Sequence, residues 1–418
     1  MIVPMSDVTT VDAGTYRGIE RGSRSYLRAV LAMLAAGLAT FNSLYCTQAL
    51  LPTMTAELGI TPFESALTVS AATGMLALCI VPASILSEKF GRGRVLITSL
   101  ALAAVVGLII PFAPGVVALI ALRGLQGALL AGAPAVAMTW LSEEIHPRDL
   151  GRAMGLYIAG NTVGGLMGRL IPAGLLEFTH WQFALLGASA ATLIFTIIMV
   201  ALLPKQKLFK PKKITLRYEL SAMASHWRNP HLALLFATAF VGMGTFVSLY
   251  NYLGFRMIEQ FGLSEVLVGA VFLMYLSGTW SSAQAGTLRQ KLGNGPTVIS
   301  LAATMIVSMV AMAVDSFWVT IIALFFFTAA FFALHSSASG WIGIIATKDR
   351  AEASSMYLFC YYVGSSAVGW FSGIIFTHAS WVVFVGYLTG LLVVLLAVTV
   401  MLARLARVEH SVPATVTA

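Results

Sequence analysis

Residues 40–45 read Thr40-Phe-Asn-Ser-Leu-Tyr45, and residues 245–250 read Thr245-Phe-Val-Ser-Leu-Tyr250. Five of the six positions are identical, and both copies lie inside long apolar stretches. A repeat at roughly 200 residues indicates that the chain is built from two related halves.

Two other regions align at nearly the same shift. The loop containing Lys89-Phe-Gly-Arg-Gly93 is repeated as Lys291-Leu-Gly-Asn-Gly295, so both copies keep Lys-x-Gly-x-Gly. Four further positions recur, namely Tyr157, Val163, Gly164 and Trp181 as Tyr357, Val363, Gly364 and Trp381. Three separate matches make a chance resemblance an unsatisfactory explanation of the repeat.

The composition is that of a membrane protein. Apolar residues make up 58% of the chain and charged residues 10%, which is more apolar side chain than a soluble core uses. Apolar stretches of roughly 20 residues, long enough for a helix to cross a bilayer, recur along the chain. Only helices and closed barrels satisfy their backbone in lipid, and barrels show short alternating segments, so the sequence predicts transmembrane helices.

We predict twelve spans in two pseudo-symmetric six-helix bundles, an all-α membrane protein with a central cavity between the bundles. The spans are Leu27–Leu50, Phe63–Leu86, Val95–Pro111, Gly115–Trp140, Leu150–Leu176, Gln182–Leu203, Leu232–Met257, Val266–Leu288, Thr297–Val314, Phe317–Ala346, Ala353–Phe376 and Val382–Ala403. The expected domains are an N-terminal tail 1–26, a first bundle 27–203, a linker 204–230, a second bundle 231–404 and a C-terminal tail 405–418.

Basic residues are confined to one side of the predicted spans. Nearly all of the 25 lysines and arginines lie in the tails, the linker and every second loop, and the opposite loops contain none. By the positive-inside rule we expect both termini and the linker in the cytoplasm, with the bundle in the cytoplasmic membrane. The net charge of +8 therefore reflects topology and membrane contact, and we expect no nucleic-acid partner.

Several motifs resemble those of the major facilitator superfamily, and the resemblance covers essentially the whole chain. Ser84 to Arg94 is similar to the loop motif G-x-L-x-D-R-x-G-R-R/K, with Ser84 for the first glycine and Glu88 for the aspartate. Arg123-Gly-Leu-Gln-Gly127 resembles R-x-x-Q-G. Gly160 to Gly165 resembles the antiporter motif G-P-x-x-G-G, with Asn161 for proline. The chain most resembles bacterial inner-membrane transporters of the YnfM type, a drug:proton antiporter-like group.

Three arginines, Arg123, Arg169 and Arg256, lie within predicted spans, whereas no Asp or Glu lies deep in them. Ionisable groups inside a membrane are functional candidates by default. Because guanidinium pairs bidentately with carboxylate or phosphate, we predict an anionic substrate bound by Arg169 and Arg256. The alternative is that both side chains reach the headgroups or pair with Glu64 or Glu265.

Two residues are candidates for proton coupling. His335 is the one histidine well inside a predicted span, and an unperturbed histidine has a pKa of about 6.5. The alternative is a neutral histidine bonded to a serine or a backbone carbonyl. Arg123 is the second candidate, because the resemblance associates the arginine of R-x-x-Q-G with coupling and helix contacts.

The repeat places polar side chains at matching depth in the first and seventh spans, and polar groups facing lipid lose their hydrogen bonds. We therefore predict that they line the cavity. With the two arginines, the predicted substrate-binding residues are Asn42, Tyr45, Gln48, Asn161, Tyr250, Asn251 and Tyr361. For Tyr361 and its neighbours, packing between helices is the alternative.

A conformational latch is predicted at the loop after the second span. Gly91 allows a tight turn there, and Glu88, Lys89 and Arg92 supply charges that hold one conformation and separate in the other. The alternative is that these charges only occupy the headgroup region.

Together these features predict a secondary active transporter that moves a small organic solute by alternating access, is coupled to protons and acts as a monomer. Export as the direction of transport is what the resemblance implies. Within transport, the rival to a multidrug exporter is a carrier of organic anions. A channel or a non-transporting sensor also fits the fold. We do not expect an enzyme, a cofactor or a metal, because the sequence lacks H-E-x-x-H, a Walker lysine loop and a deep carboxylate pair.

Overall fold

The computed structural model describes residues 18–209 and 215–411, so Arg17, Lys210, Lys212 and Lys213 lie outside the described residues. The described residues form sixteen α-helices. These are α1 (Arg24–Tyr45), α2 (Leu51–Leu58), α3 (Pro62–Phe90), α4 (Arg92–Ile109), α5 (Val116–Leu130), α6 (Gly132–Glu144), α7 (Pro147–Leu176), α8 (Trp181–Leu202), α9 (Leu216–Ser225), α10 (Pro230–Glu259), α11 (Glu265–Val271), α12 (Tyr275–Leu292), α13 (Asn294–Ala311), α14 (Phe317–Ile345), α15 (Arg350–His378) and α16 (Trp381–Ser411). Four 3₁₀ turns lie at Gln48–Leu50, Ile110–Phe112, His226–Arg228 and Phe272–Met274.

The helix starts follow local sequence signals. Thr61 caps α3, its side chain accepts from the Glu64 backbone N–H, and the Glu64 carboxylate accepts from the Thr61 backbone N–H. Proline occupies the first turn of α3, α7 and α10, where its missing N–H costs no hydrogen bond. Asn229 caps α10 by accepting from two backbone N–H groups. The three capped helices begin within a few residues of the starts of the predicted spans.

Eleven helical segments among the described residues are long and apolar enough to cross a membrane. The predicted fifth span is α7, which has 30 residues but is not among the eleven. Its polar and small residues, including Asn161 and Arg169, lower its hydropathy and lie against neighbouring helices. α7 completes the twelve-helix architecture as the least lipid-like member.

The two halves repeat the same close helix contact. A side chain at Gly164 of α7 would meet the Leu38 backbone of α1 at 2.6 Å. A side chain at Gly364 of α15 would overlap the Phe240 backbone of α10 in the same way. The Lys-x-Gly-x-Gly turns match as well, since Gly91 and Gly293 have φ of 96° and 84°, a region that favours glycine. The sequence repeat is therefore a repeat of backbone packing.

The first half (α1–α8) and the second half (α10–α16) meet along three pairs of helices. α3 packs against α15, α7 against α11, and α10 against α2. We call the end of the bundle that carries 203–209 the linker end and the opposite end the far end. Since α2 and α11 both lie at the far end, two of the three contacts close the bundle there.

The linker and the last helix differ from the predicted boundaries. The predicted linker contains α9, which packs against α3 and α15 and buries Met223 in one cluster with Ile80 and Phe359. The last helix continues to Ser411, so the predicted C-terminal tail at 405 begins inside α16. The apolar pattern ends near Ala403, but the helix continues past it, because helical hydrogen bonding does not require an apolar face.

Adding a methyl group at Gly164 should destabilise the protein. Its Cβ would lie within 3 Å of backbone atoms that cannot rotate away, and overpacking of this kind costs about 1–3 kcal/mol. We expect Gly164→Ala to lower the thermal unfolding temperature of the purified protein in detergent. The control is Gly155→Ala on the same helix, where a Cβ meets nothing within 4 Å and alanine favours the helix. Equal melting temperatures for the two variants would contradict the packing described here.

Candidate functional site

Arg169, near the far end of α7, is the central group of the interface between the halves. It is 1% exposed. Its Nε donates to Gln48 Oε1 at 2.7 Å and its Nη2 to the Tyr275 hydroxyl at 3.1 Å, while its Nη1 donates to the Gly165 carbonyl. Gln48 belongs to the first half and Tyr275 to the second. The guanidinium therefore links the two halves.

Three aromatic rings surround the same guanidinium. Its carbon lies 4.3 Å from the ring centroid of Tyr45, 4.5 Å from that of Tyr275 and 5.1 Å from that of Phe272. Tyr250 packs against these rings, and its ring centroid lies 4.9 Å from that of Tyr275. Its hydroxyl lies 2.7 Å from the Thr328 hydroxyl. The ring faces carry partial negative charge, so they stabilise a buried cation without a carboxylate.

A second bond crosses the interface beside Arg169. Gln48 Nε2 donates to Asn251 Oδ1 at 2.7 Å, and both residues are buried. Gln48 thus accepts from Arg169 and donates to Asn251. The predicted residues Tyr45, Gln48, Arg169, Tyr250 and Asn251 therefore form one cluster, and we call it the arginine cage together with Phe272 and Tyr275.

The acidic residues proposed as alternative partners of Arg169 are engaged elsewhere. Glu64 bonds with Thr61 at the start of α3, and Glu265 accepts from the Thr53 hydroxyl at 3.2 Å. Within the part of the chain that the structure describes, no carboxylate is among the contacts of Arg169. Its charge is solvated by dipoles and ring faces alone.

Tyr361 lies on α15 and Asn161 on α7, and each of these helices packs against the other half. The Tyr361 ring centroid lies 4.6 Å from that of His335. Asn161 lies beside Gly37 at the contact between α7 and α1. Both residues are partly buried.

Like Tyr361 and Asn161, two other predicted binding residues lie outside the cage. Asn42 is fully buried inside the first half, where its Nδ2 donates to the Ala188 carbonyl and the Thr192 hydroxyl, each at 2.7 Å, and so joins α1 to α8. Arg256 lies at the far end, where its Nη2 bonds Asp315 at 2.7 Å. The structure therefore does not bring either residue together with Arg169.

Arg123 caps the end of the first helix with hydrogen bonds from its side chain. α1 ends at Tyr45, which leaves the carbonyls of its last turn without partners in the helix. Arg123 Nη1 donates to the Ser43 carbonyl at 2.8 Å and Nη2 to the Leu44 carbonyl, while Nε donates to the Thr68 carbonyl at 3.0 Å. The Gln126 amide oxygen also accepts from Nη1. Arg123 thus connects α1, α3 and α5, the helix-contact role that the motif implies.

His335 lies in the second half, nearer the linker end. Its Nδ1 lies 2.9 Å from the Tyr357 hydroxyl, and both side chains line a small cavity with Tyr361, Thr238 and Gly242. The cavity volume of about 10 Å³ is close to that needed by a single water molecule. The partner of the His335 ring is therefore a tyrosine hydroxyl, whereas the alternative in the sequence analysis was a serine or a backbone carbonyl.

Two of the predicted latch residues, Glu88 and Arg92, belong to a charged network within the first half. Arg92 contacts the Glu88 carboxylate, bonds Glu143 of α6 at 3.0 Å and donates to the Ser87 hydroxyl at 2.6 Å. Gly91 provides the turn between α3 and α4. Lys89 is exposed and lies over the Phe90 ring. The network therefore joins α3, α4 and α6, without a direct bond to the second half in these contacts.

The first residues of the linker are hydrogen-bonded to α4 and α6, next to this network. The Gly93 N–H donates to Gln206 Oε1 at 2.8 Å. The buried Glu144 carboxylate accepts from the backbone N–H groups of Lys207 and Leu208, at 2.9 and 2.8 Å. The start of the linker is thus bonded to both α4 and α6.

Sequence reasoning missed Phe272 and Tyr275. They lie in the eighth span, where the repeat offers no aromatic counterpart, and their role depends on the packing of α11 and α12 against α7. An aromatic pair three residues apart at the helix interruption Phe272–Met274 was the available signal. Such a pair is more often ordinary helix packing.

Two six-helix halves around a buried polar interface define a membrane transporter. The family model described as Major Facilitator Superfamily matches residues 32–314. The chain is 38% identical over 387 residues to the inner membrane transport protein YnfM of Escherichia coli K12, covering 92% of this chain and 93% of that protein. It is 34% identical to the uncharacterized MFS-type transporter YybF of Bacillus subtilis, covering 92% and 96%. The chain belongs to the major facilitator superfamily, and the predicted resemblance is confirmed.

Solved structures share the fold. A bacterial homolog of the human lysosomal transporter Spinster, in an inward-facing and unoccupied conformation, matches with a TM-score of 0.75 and 14% identity, covering 94% of this chain and 100% of that chain. The nucleoside transporter NupG matches with a TM-score of 0.75 and 14% identity, covering 91% and 100%. The predicted twelve-helix architecture is therefore confirmed, and the protein is a multi-pass membrane transporter.

Proposed function

We propose that this transporter exports a small organic anion across the cytoplasmic membrane, as a monomer, by alternating access coupled to protons. The observation that carries the substrate class is the buried Arg169 guanidinium, held by rings and amides at the interface between the halves. The confinement of basic residues to the linker end supports a cytoplasmic location for that end. The relation to an inner membrane transport protein supports the cytoplasmic membrane.

A carboxylate on the substrate would compensate the charge of Arg169. Cation–π contacts contribute about 0.5–2 kcal/mol each, whereas burial of an unpaired ion costs several kcal/mol. A bidentate carboxylate would supply charge and two hydrogen bonds at once. The rings of Tyr45 and Tyr275 would then pack against the apolar part of the substrate.

The same residues would act as a gate. Arg169 and Gln48 belong to the first half, whereas Asn251, Phe272 and Tyr275 belong to the second. Rocking the halves apart at the far end would break the bonds between these two sets and expose the guanidinium there. A bound anion would replace the lost contacts, so binding and opening would be coupled.

Arg169 should be required for transport of carboxylates. Loss of a charge-assisted hydrogen bond costs about 1.5–3 kcal/mol, roughly a tenfold to hundredfold effect. We expect Arg169→Gln to lose at least tenfold in accumulation of radiolabelled benzoate by inverted membrane vesicles, and Arg169→Lys to retain part of it. Ethidium accumulation, run in parallel, reports the rival multidrug function.

The comparison variant is Arg256→Gln, which removes the same charge from an arginine already paired with Asp315. The sequence also predicts Arg256 as a binding residue, and this assay decides between the two arginines. Full benzoate transport by Arg169→Gln, with loss in Arg256→Gln, would move the anion site to the far-end ion pair. Transport of ethidium alone by the wild type would refute the anion proposal.

Proton coupling is assigned to His335. His335 is hydrogen-bonded to the Tyr357 hydroxyl beside a water-sized cavity, and a water molecule there would carry a proton to and from the imidazole ring. Arg123, the other coupling candidate, would act by holding α1 against α3 and α5 while the halves move.

His335→Gln should uncouple transport from the proton gradient. We expect the variant to keep substrate counterflow in proteoliposomes, because the arginine cage is intact, but to lose accumulation driven by an imposed pH gradient. The matched control is His378→Gln, an exposed histidine at the end of α15. A variant that still accumulates substrate in response to the gradient would exclude His335 from the coupling mechanism.

A further inference from the structure

A cleft opens at the linker end between the start of α1 and the end of α8, away from the arginine cage. Its volume is about 660 Å³. Its lining includes Glu20, Ser23, Arg28, Ala201, Lys205 and Lys207. Neither the sequence motifs nor the proposed transport cycle uses this cleft.

The cleft is basic. Three cationic side chains, Arg28, Lys205 and Lys207, line it together with one carboxylate, Glu20. Arg28 Nη2 donates to the Ala201 carbonyl at 3.1 Å, which fixes the guanidinium at the junction of α1 and α8. Lys207 is positioned from its backbone by the buried Glu144 carboxylate. The Arg28 guanidinium is therefore held in place, and the backbone of Lys207 is fixed beside it, so an anion entering the cleft meets a positioned guanidinium.

The cleft borders an apolar surface on the same two helices. On α1, Leu27 is 59% and Leu31 38% exposed, and on α8, Ile197 is 57% and Val200 43% exposed. In a membrane-spanning bundle such side chains face lipid acyl chains. A molecule that combined an anionic head with apolar chains would match both parts.

We propose that this cleft binds the phosphodiester headgroup of an anionic phospholipid. Basic pockets between transmembrane helices at the membrane surface suit such headgroups, and arginine and lysine donate charge-assisted bonds to phosphate oxygens. The exposed apolar residues beside the cleft favour a lipid over a free phosphate ion. The site would tie the end of α8 and the start of the linker to the surrounding membrane, independently of the substrate carried by the arginine cage.

Native mass spectrometry of the full-length protein in detergent tests this assignment, with phosphatidylglycerol as the probe. We expect the wild type to bind phosphatidylglycerol in preference to phosphatidylcholine, and Arg28→Gln/Lys205→Gln to weaken that binding roughly tenfold. The control is Lys89→Gln/Lys348→Gln, which removes two charges from exposed lysines outside the cleft. It should bind within about twofold of the wild type, since Coulomb attraction between exposed charges is strongly screened.

Two results would overturn the assignment. Equal loss of binding in the cleft variant and the control would reduce the effect to general surface charge. Displacement of phosphatidylglycerol by inorganic phosphate at matched ionic strength would make the cleft a free-phosphate site. Unfolding temperatures measured without lipid check that the variants are folded, and Lys205→Gln alone, which leaves the Arg28–Ala201 bond intact, replaces the double variant if that one is unstable.

Discussion

The structure depends on one buried charge at the interface between its halves. Arg169 is almost completely removed from solvent, and its contacts are one side-chain amide oxygen, one tyrosine hydroxyl, one backbone carbonyl and three aromatic faces. Burial of an ion is tolerated only when its surroundings replace water, and here that replacement needs residues from both halves. The charge therefore stabilises the far-end contact only while the halves stay together, which makes it suited to a reversible interface.

Rigid packing within each half makes this interface a discrete contact. Gly164 and Gly364 let α7 approach α1 and α15 approach α10 until the backbones are nearly in contact. Arg123 adds hydrogen bonds from one guanidinium to three carbonyls on α1 and α3, and the Glu88–Arg92–Glu143 network does the same for α3, α4 and α6. With each half held internally, the proposed rocking would take place between the halves.

Much of the architecture was predictable because a repeat and a lysine-arginine pattern are long-range signals carried by many residues. The repeat predicted two related halves with matched glycines, and the apolar stretches predicted twelve spans, most of them within a few residues of the observed helices. Individual side chains were less predictable. Asn42 and Gln48 are both polar residues of the first span, but one turns into its own half and the other across the interface, a difference set by helix rotation and by the break after Tyr45. Tyr275 and the linker helix α9 depend on contacts between distant segments, which local sequence does not encode.

The central claim is that Arg169 holds the far end closed, and distances between spin labels test it most directly. Labels would be introduced in a background without Cys46, Cys79 and Cys360, by Ala56→Cys with Glu259→Cys at the far end and by Arg152→Cys with Lys291→Cys at the linker end. The account predicts that Arg169→Gln lengthens the far-end distance and shortens the linker-end distance, while Arg256→Gln changes neither. Unchanged distance distributions in Arg169→Gln would contradict it, because the closure would then rest on contacts other than this buried charge.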